Sequence, residues 1–286
     1  MGNFDFNLNL FEGEESITND NQKNNFINGT IKIENNNFRQ KIINSYENWK
    51  KENPDEFEWN KEYVNATPNE EKIKKCEIYI NEEKIDFCYY YTFPKNGIYK
   101  IKYVFKEILT SINFLFYKCI SITSLDFSEF NGEHLTNMAC VFTFCSSLKT
   151  LNISKLNTSK VTNMRFLFHS CSSLTNLDIN NFNTENVNNM EYMFFKCYSL
   201  LNLDVTSFNT KNVDNMECMF YNCCSLMTLD LSNFDFTKVI KNKYMFENCH
   251  SLIILNLPNF KLESEKNYDY LFYGCNSLIR DCIVEK

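Results

Sequence analysis

The chain has 286 residues, a net charge of -7 and an apolar content of 44%, which is enough for one large domain or two small ones. The acidic balance argues against a nucleic-acid partner, because nucleic-acid-binding proteins carry clustered basic charge. No run of 18 apolar residues is present, so we predict no transmembrane segment. The first residues lack a basic start followed by an apolar run, and we therefore expect no secretory signal.

Residues 1–25 are rich in Asn, Asp and Glu and predict a poorly ordered N-terminal segment. Within it Phe4, Phe6, Leu8 and Leu10 alternate with polar residues, which is the period of a strand.

Residues 26–106 predict a small β-rich capping domain with some helix. Ile31 and Ile33 mark a short strand. Residues 39–52 space their apolar side chains as a short helix does, and residues 53–75 are charged, contain two prolines and predict a loop.

From Cys76 onward the pattern becomes alternating. The segments CEIYI and IDFCYYYTF flank the turn-like NEEK and predict a hairpin, and IYKIKYVF predicts a third strand. We expect these strands to cover the open apolar end of the repeats that follow, because the first unit of a repeat array otherwise exposes its core to water.

Residues 107–286 contain a 26-residue unit that recurs without a slip. A fixed period of this length is typical of a solenoid. The cysteine of each unit is Cys119, Cys145, Cys171, Cys197, Cys223, Cys249 or Cys275. Three residues before it stands Phe116, Phe142, Phe168, Phe194, Phe220, Phe246 or Phe272.

Each unit predicts one strand and one short helix. Leu174, Leu177 and Ile179 form the strand pattern L-x-x-L-x-I of a leucine-rich repeat. Residues 158–171 space their apolar side chains along one helical face, and Thr158 is a favourable N-cap. The fold class predicted is therefore a leucine-rich-repeat-like α/β repeat solenoid of about seven coils with a small N-terminal β-rich cap.

The search for chemistry gives no catalytic, cofactor-binding or metal-binding residue. The 13 cysteines are odd in number, and seven share one repeat position, so we expect reduced thiols that pack in the core. Cys224 is expected to point outward and to be the most reactive thiol. His134, His169 and His250 occupy variable positions, expected to face solvent, and lack metal-ligand spacing. We predict neither an enzyme nor a cofactor.

The strands carry the candidate partner-binding residues. One column lies between the last two apolar strand positions: Asp126, Asn152, Asp178, Asp204, Asp230 and Asn256. A second column follows two residues later: Ser154, Asn180, Thr206 and Ser232. Strand alternation puts both on the exposed face. Two interpretations stay open, a solvated, hydrogen-bonded ladder and an acidic stripe that meets a basic partner or a divalent cation.

The phrase SLTNLDINNFNTENVNNMEYMFFKC resembles the bacterial surface protein 26-residue repeat of the BspA-like leucine-rich repeat group, over about residues 107–280. The resemblance implies a right-handed solenoid used for protein binding, often in adhesion modules at a cell surface. It implies no catalytic residues.

We therefore predict a non-enzymatic scaffold that binds a protein partner through the exposed strand face. The alternative is a cell-surface adhesin of BspA-like type exported without an evident signal peptide. The absent signal and the reduced-looking cysteines favour the cytoplasm, whereas the resemblance favours the cell surface. The identity of the partner and the oligomeric state stay open.

Overall fold

The structure is a computed structural model, which describes residues 25–55, 68–257, 260 and 270–279. The strand pattern between Phe4 and Leu10 lies outside these residues. The elements are β1 Phe26–Ile33, β2 Arg39–Lys41, α1 Tyr46–Glu52, α2 Glu70–Ile73, β3 Glu77–Ile80, β4 Glu83–Ile85, β5 Tyr90–Thr92, β6 Gly97–Val104, β7 Ile122–Asp126, β8 Thr150–Asn152, β9 Asn176–Leu177, β10 Asn202–Leu203, β11 Thr228–Asp230 and β12 Ile254–Asn256.

The N-terminal region is built on a six-stranded sheet in the order β4-β3-β6-β1-β7-β8. β6 is paired antiparallel with β1 on one side and with β3 on the other. Alternate side chains of β1 and β6, such as Ile31, Ile101 and Tyr103, are buried. β3 forms a hairpin with β4, but the expected strand positions are wrong: β4 begins within the segment expected to be the turn, and Tyr90–Thr92 form β5, which pairs with β2.

The helix predicted over residues 39–52 is wrong in its first half. Residues Arg39–Lys41 form β2, which pairs antiparallel with β5. α1 begins only at Tyr46, where the Ser45 side chain accepts the Asn48 N–H at 3.1 Å and so satisfies one free donor of the first turn. The loop predicted over residues 53–75 contains α2. Pairing with a distant strand outweighs local helical spacing at β2.

β1 joins the N-terminal sheet to the first repeat, because it also pairs antiparallel with β7. A Cβ at Gly29 would lie 2.8 Å from the Ser124 backbone oxygen, so only glycine allows this close approach. One hydrophobic core extends from Ile27 in β1 to Phe272 in the last described unit.

Consecutive repeat units pair in parallel at an offset of one unit. Leu125 is opposite Leu151, and Leu229 is opposite Leu255. On the other edge of the units, the Phe168 N–H donates to the Met193 carbonyl at 2.9 Å. Between the two edges, the phenylalanines that precede the cysteines form a buried stack, with ring centroids 5.5–6.2 Å apart and interplanar angles of 3–12°.

The short helix predicted for each coil is wrong over residues 158–171, which form turns instead. Phe166 and Ser170 have φ of 57° and 59°, a conformation that ends a right-handed helix. The Thr158 hydroxyl is not an N-cap. It accepts the Asn183 N–H at 2.8 Å and donates to the Asn183 carbonyl at 3.0 Å. Hydrogen bonds to the next unit thus replace those within a helix.

Candidate functional site

The predicted Asp/Asn column lies on one face of the strands, which we call the strand face. Asp126 and Asn152 are opposite each other in neighbouring strands. Asn152, Asp178, Asp204 and Asp230 are exposed, whereas Asp126 and Asn256 are half-buried. The second column is exposed as predicted: Ser154, Asn180, Thr206 and Ser232.

The two columns are joined within each unit by hydrogen bonds. The backbone N–H of the second column donates to the side-chain oxygen of the first at 2.9–3.3 Å: Ser154 to Asn152, Asn180 to Asp178, Thr206 to Asp204 and Ser232 to Asp230. This Asx turn follows the strand in each of these four units.

Two bonds also connect neighbouring units. The Asn152 side-chain amide donates to Asp126 Oδ1, and that of Asn256 donates to Asp230 Oδ1, each at 2.9 Å. The Thr206 hydroxyl and N–H hold the pKa of Asp204 below its usual value. Hydrogen bonds between units therefore join Asp126 to Asn152 and Asp230 to Asn256, and both interpretations of the column stay open.

The column keeps negative charge on its surface. No ion pair joins Asp178, Asp204 or Asp230 to a basic side chain within the described part of the chain. Among the same residues, no group of three or more His, Cys, Asp and Glu side chains is arranged to hold a metal ion.

The strand face continues into the N-terminal sheet, which the sequence did not indicate. Asn28 in β1 is opposite Lys102 on one side and Asp126 on the other. A groove of about 720 Å³ lies over this junction, and Lys100 and Ser124 also line it. The antiparallel pairing of β1 with β7 creates the groove, and no periodicity predicts a pairing over this distance.

An exposed aliphatic row is formed by Leu201, Met227 and Ile253, which stand three residues before the Asp/Asn column in their units. Their side chains are 41%, 47% and 38% exposed. The backbone N–H of Ile253 donates to the Met227 carbonyl at 2.8 Å, so these two residues stack in one column. Earlier units have Lys149 and Thr175 at this position. A comparison of equivalent positions in the sequence would have found the row.

The repeated cysteines lie in the core. Each thiol from Cys145 to Cys275 donates to the carbonyl of the phenylalanine in the preceding unit at 2.9–3.2 Å. Burial raises the pKa of Cys171 and, to about 12, that of Cys197. Every cysteine that the structure describes is free. Cys224 is half-buried, and its burial also raises its pKa.

The expectation that all three histidines face solvent is wrong for His169. Its ring is only 8% exposed and stacks on Phe195 at 4.6 Å. Burial lowers the pKa of His169 to about 4, so the ring is neutral at pH 7. The same position holds Tyr117, Phe195 and Tyr221 in other units, but Thr143 and Glu247 in two more, so an aromatic ring is common at this position of the repeat. His134 is half-buried, and His250 is exposed.

No helix among the described residues has both the length and the apolar character needed to span a bilayer.

A family model described as "Mycoplasma protein of unknown function, DUF285" matches residues 110–226 and again residues 178–284. Together the two matches extend from residue 110 to residue 284, which is more than half of the 286 residues. No curated protein and no solved structure matches the chain.

Proposed function

The chain belongs to the DUF285 family of repeat proteins, and from this premise we propose that it is a non-enzymatic scaffold whose units form a leucine-rich-repeat-like solenoid. In this proposal the strand face binds a partner protein, and residues 26–106 cap the first unit.

The observation that carries the proposal is that the acidic column and the aliphatic row are both exposed in the same units. Asp204 and Asp230 are exposed, and so are Leu201 and Met227, which stand three residues before them. A contiguous exposed apolar patch on a soluble protein commonly marks an interaction surface. The adjacent carboxylates would orient a partner that carries basic and aliphatic side chains, because complementary charges set register and accelerate association.

The test is a crosslinking pull-down from the source cells, which compares the wild type with Asp178→Lys/Asp204→Lys/Asp230→Lys. We expect recovery of specific partners to fall at least about tenfold, because like charges then oppose the basic partner.

A matched control makes the same change of charge away from the strands. Glu133, Glu185 and Asp214 are exposed and lie outside the strand face, so Glu133→Lys/Glu185→Lys/Asp214→Lys should keep wild-type recovery. Equal recovery of partner proteins with the two triple variants would contradict binding through the strand face.

A second candidate function is a cell-surface adhesin of BspA-like type. The resemblance of the 26-residue unit to the BspA-like surface repeat supports it. Labelling of intact source cells with a membrane-impermeant amine reagent distinguishes the two candidates. An adhesin is labelled before lysis, whereas a cytoplasmic scaffold is labelled only afterwards.

A further inference from the structure

The strand face continues past the first repeat unit onto the outer side of the N-terminal sheet. Lys102 of β6 is opposite Asn28 of β1, and Asn28 is opposite Asp126 of β7. Asp126 is in turn opposite Asn152 of β8. The equivalent side chains of the next three units complete the row: Asp178, Asp204 and Asp230. Residues between the outward positions, such as Ile101, are buried, so one row of outward side chains extends from β6 to β11.

The N-terminal end of this row, which we call the basic end, has a surplus of positive charge. Five lysines and three glutamates lie on it or at its border: Lys32, Lys84, Lys100, Lys102, Lys106, Glu34, Glu77 and Glu82. Three of the lysines bind a glutamate. No ion pair involves Lys100 or Lys102 among the residues that the structure describes. These two ammonium groups therefore give the basic end its capacity to bind an acidic surface.

The other end of the row, which we call the acidic end, has the opposite charge. It consists of the aspartates at the ends of β9, β10 and β11: Asp178, Asp204 and Asp230. The outward positions of these three strands carry no basic side chain. Both ends also expose an aliphatic side chain at a similar place along the strand. Ile98 is 70% exposed four residues before Lys102, and Leu201 is 41% exposed three residues before Asp204.

A surface with this pattern is complementary to itself when a second copy lies face to face with its strand order reversed. The strands follow one another as β6-β1-β7-β8-β9-β10, so β6 and β10 are equally far from a two-fold axis that runs parallel to the strands between β7 and β8. β6 has the direction of the repeat strands, because β1 is antiparallel to both β6 and β7.

This axis preserves the direction of the strands and exchanges the two ends. It therefore brings Lys102 of each copy over Asp204 of the other, and Ile98 toward Leu201. Face-to-face sheets lie about 10 Å apart, which is a separation that a lysine and an aspartate side chain bridge together. Charge and apolar exposure thus match in one and the same arrangement.

We propose that the strand face binds a second copy of this chain, and that the basic end of each copy contacts the acidic end of the other in a two-fold symmetric dimer. The inference rests on the proposed function, because it assigns a partner to the same strand face. Every contact occurs twice, and closed two-fold symmetry limits the assembly to two copies.

Sedimentation equilibrium of the purified full chain tests the proposal. Over a range from about 1 µM to about 200 µM we expect a monomer–dimer equilibrium with a Kd below about 100 µM. The Kd should rise at least about fivefold between about 0.05 M and about 0.5 M salt, because salt screens exposed charges. A chain that stays monomeric over this range overturns the proposal. Assembly beyond the dimer also overturns it, because a two-fold contact closes on itself.

Charge reversal at either end should weaken the dimer. Lys100→Glu/Lys102→Glu makes both ends acidic, and Asp178→Lys/Asp204→Lys makes both ends basic. Each variant alone should associate at least about tenfold more weakly than the wild type, because like charges then meet. A folded charge-reversed variant that dimerises as the wild type does would contradict the proposal.

An equimolar mixture of the two charge-reversed variants provides the sharpest test. Each end of one variant then meets an end of opposite charge on the other, so we expect a 1:1 heterodimer with about the wild-type affinity. Its formation also shows that both variants are folded. If one of them does not fold, the milder Lys100→Gln/Lys102→Gln should still weaken the dimer and reduce its dependence on salt. A mixture of folded variants that associates no better than either alone overturns the proposal.

The matched control is Glu133→Lys/Asp214→Lys, which reverses two exposed charges outside the strand face and should dimerise as the wild type does. The result is distinguishable from that of the pull-down. A purified chain that stays monomeric overturns the second copy as partner, while loss of other proteins from the strand-face variant still supports the proposed function. Retention of those proteins by a variant that no longer dimerises contradicts their binding through the strand face and leaves the dimer standing.

Discussion

The N-terminal region and the repeat array stabilise their strands in opposite ways. In the N-terminal sheet, Phe26 pairs with Val104 in an antiparallel ladder, and each contact occurs once. In the array, Leu125 pairs with Leu151 in parallel, and the same contact recurs in later units. Equivalent positions of the repeat therefore make the same contact in several units, whereas each position in the N-terminal sheet makes a contact that occurs only once. The effects of substitutions on stability test whether this difference between the two regions holds at each position.

The largest expected effect is at a contact of the array that the repeat does not predict. Arg165 and Glu191 form an ion pair at 2.8 Å with side chains only 6% and 8% exposed, and the Asn215 side chain also donates to Glu191. Glu191→Met removes the buried carboxylate that Arg165 binds and should lower the free energy of unfolding by about 3–5 kcal/mol. Urea-induced unfolding of the wild type and of Glu191→Met measures this loss.

The control is Arg165→Met/Glu191→Met, which removes both charges and should cost much less than the single substitution. A loss below about 1 kcal/mol for Glu191→Met alone, the size expected of an exposed pair, would contradict a buried pair.

The second-largest effect is a dependence of the free energy of unfolding on pH, which His169 causes. Its folded pKa of about 4 lies below the usual 6.5, because of burial first and then the nearby Lys196. Between pH 6.5 and 4 the unfolded chain therefore binds a proton that the folded chain does not, and stability falls as the pH falls. The loss is about 3 kcal/mol by pH 4. His169→Phe, which keeps a ring at this aromatic position, should abolish it.

Free energies of unfolding measured for both proteins from pH 7 to pH 4 provide the check, because all other groups cancel in the difference. Parallel curves for the wild type and His169→Phe would show that His169 titrates normally.

A smaller effect is expected at the junction between the two regions. Gly29→Ala would place a Cβ 2.8 Å from the Ser124 oxygen, so β1 must move away from β7. The expected destabilisation is about 1–3 kcal/mol. Hydrogen exchange should show reduced protection of the Ser124 and Asp126 amides.

Asn28→Ala is the matched control, because Asn28 is exposed beside Gly29 in the same strand. We expect a change within about 0.5 kcal/mol for it. Equal effects of the two substitutions would mean that the close approach at Gly29 does not hold the regions together.

The smallest effect tests the equivalence of repeat positions. Cys171→Ala removes a buried thiol and its bond to the Phe142 carbonyl at 3.2 Å, and should cost about 1–2 kcal/mol. Cys145→Ala and Cys197→Ala should cost the same within about 0.5 kcal/mol. The half-buried Cys224 is the control, and Cys224→Ala should change stability by less than about 0.5 kcal/mol. Losses that differ widely between the three buried positions would contradict their equivalence.

The period predicted the columns of the array but not the backbone between them. The exposed positions of Asp178, Asp204 and Asp230 and the buried position of Cys171 follow from the register alone. The arcs were expected to be helical and are turns, because alternate N–H groups, such as those of Phe166 and Phe168, donate to the next unit, and those between them, such as that of Leu167, close short turns within their own unit. Hydrophobic spacing indicates which side chains face inward, and a short helix and a series of turns both place the same side chains inward.

The sequence by itself determined the 26-residue register, the inward and outward positions of each unit and the column of acidic residues, because each depends on a local pattern that repeats. The tertiary structure alone decided the pairing of β1 with β7 and the stacking of Trp49 on Phe114. Both depend on contacts between residues far apart in the chain, each made once, and a single contact leaves no period in the sequence.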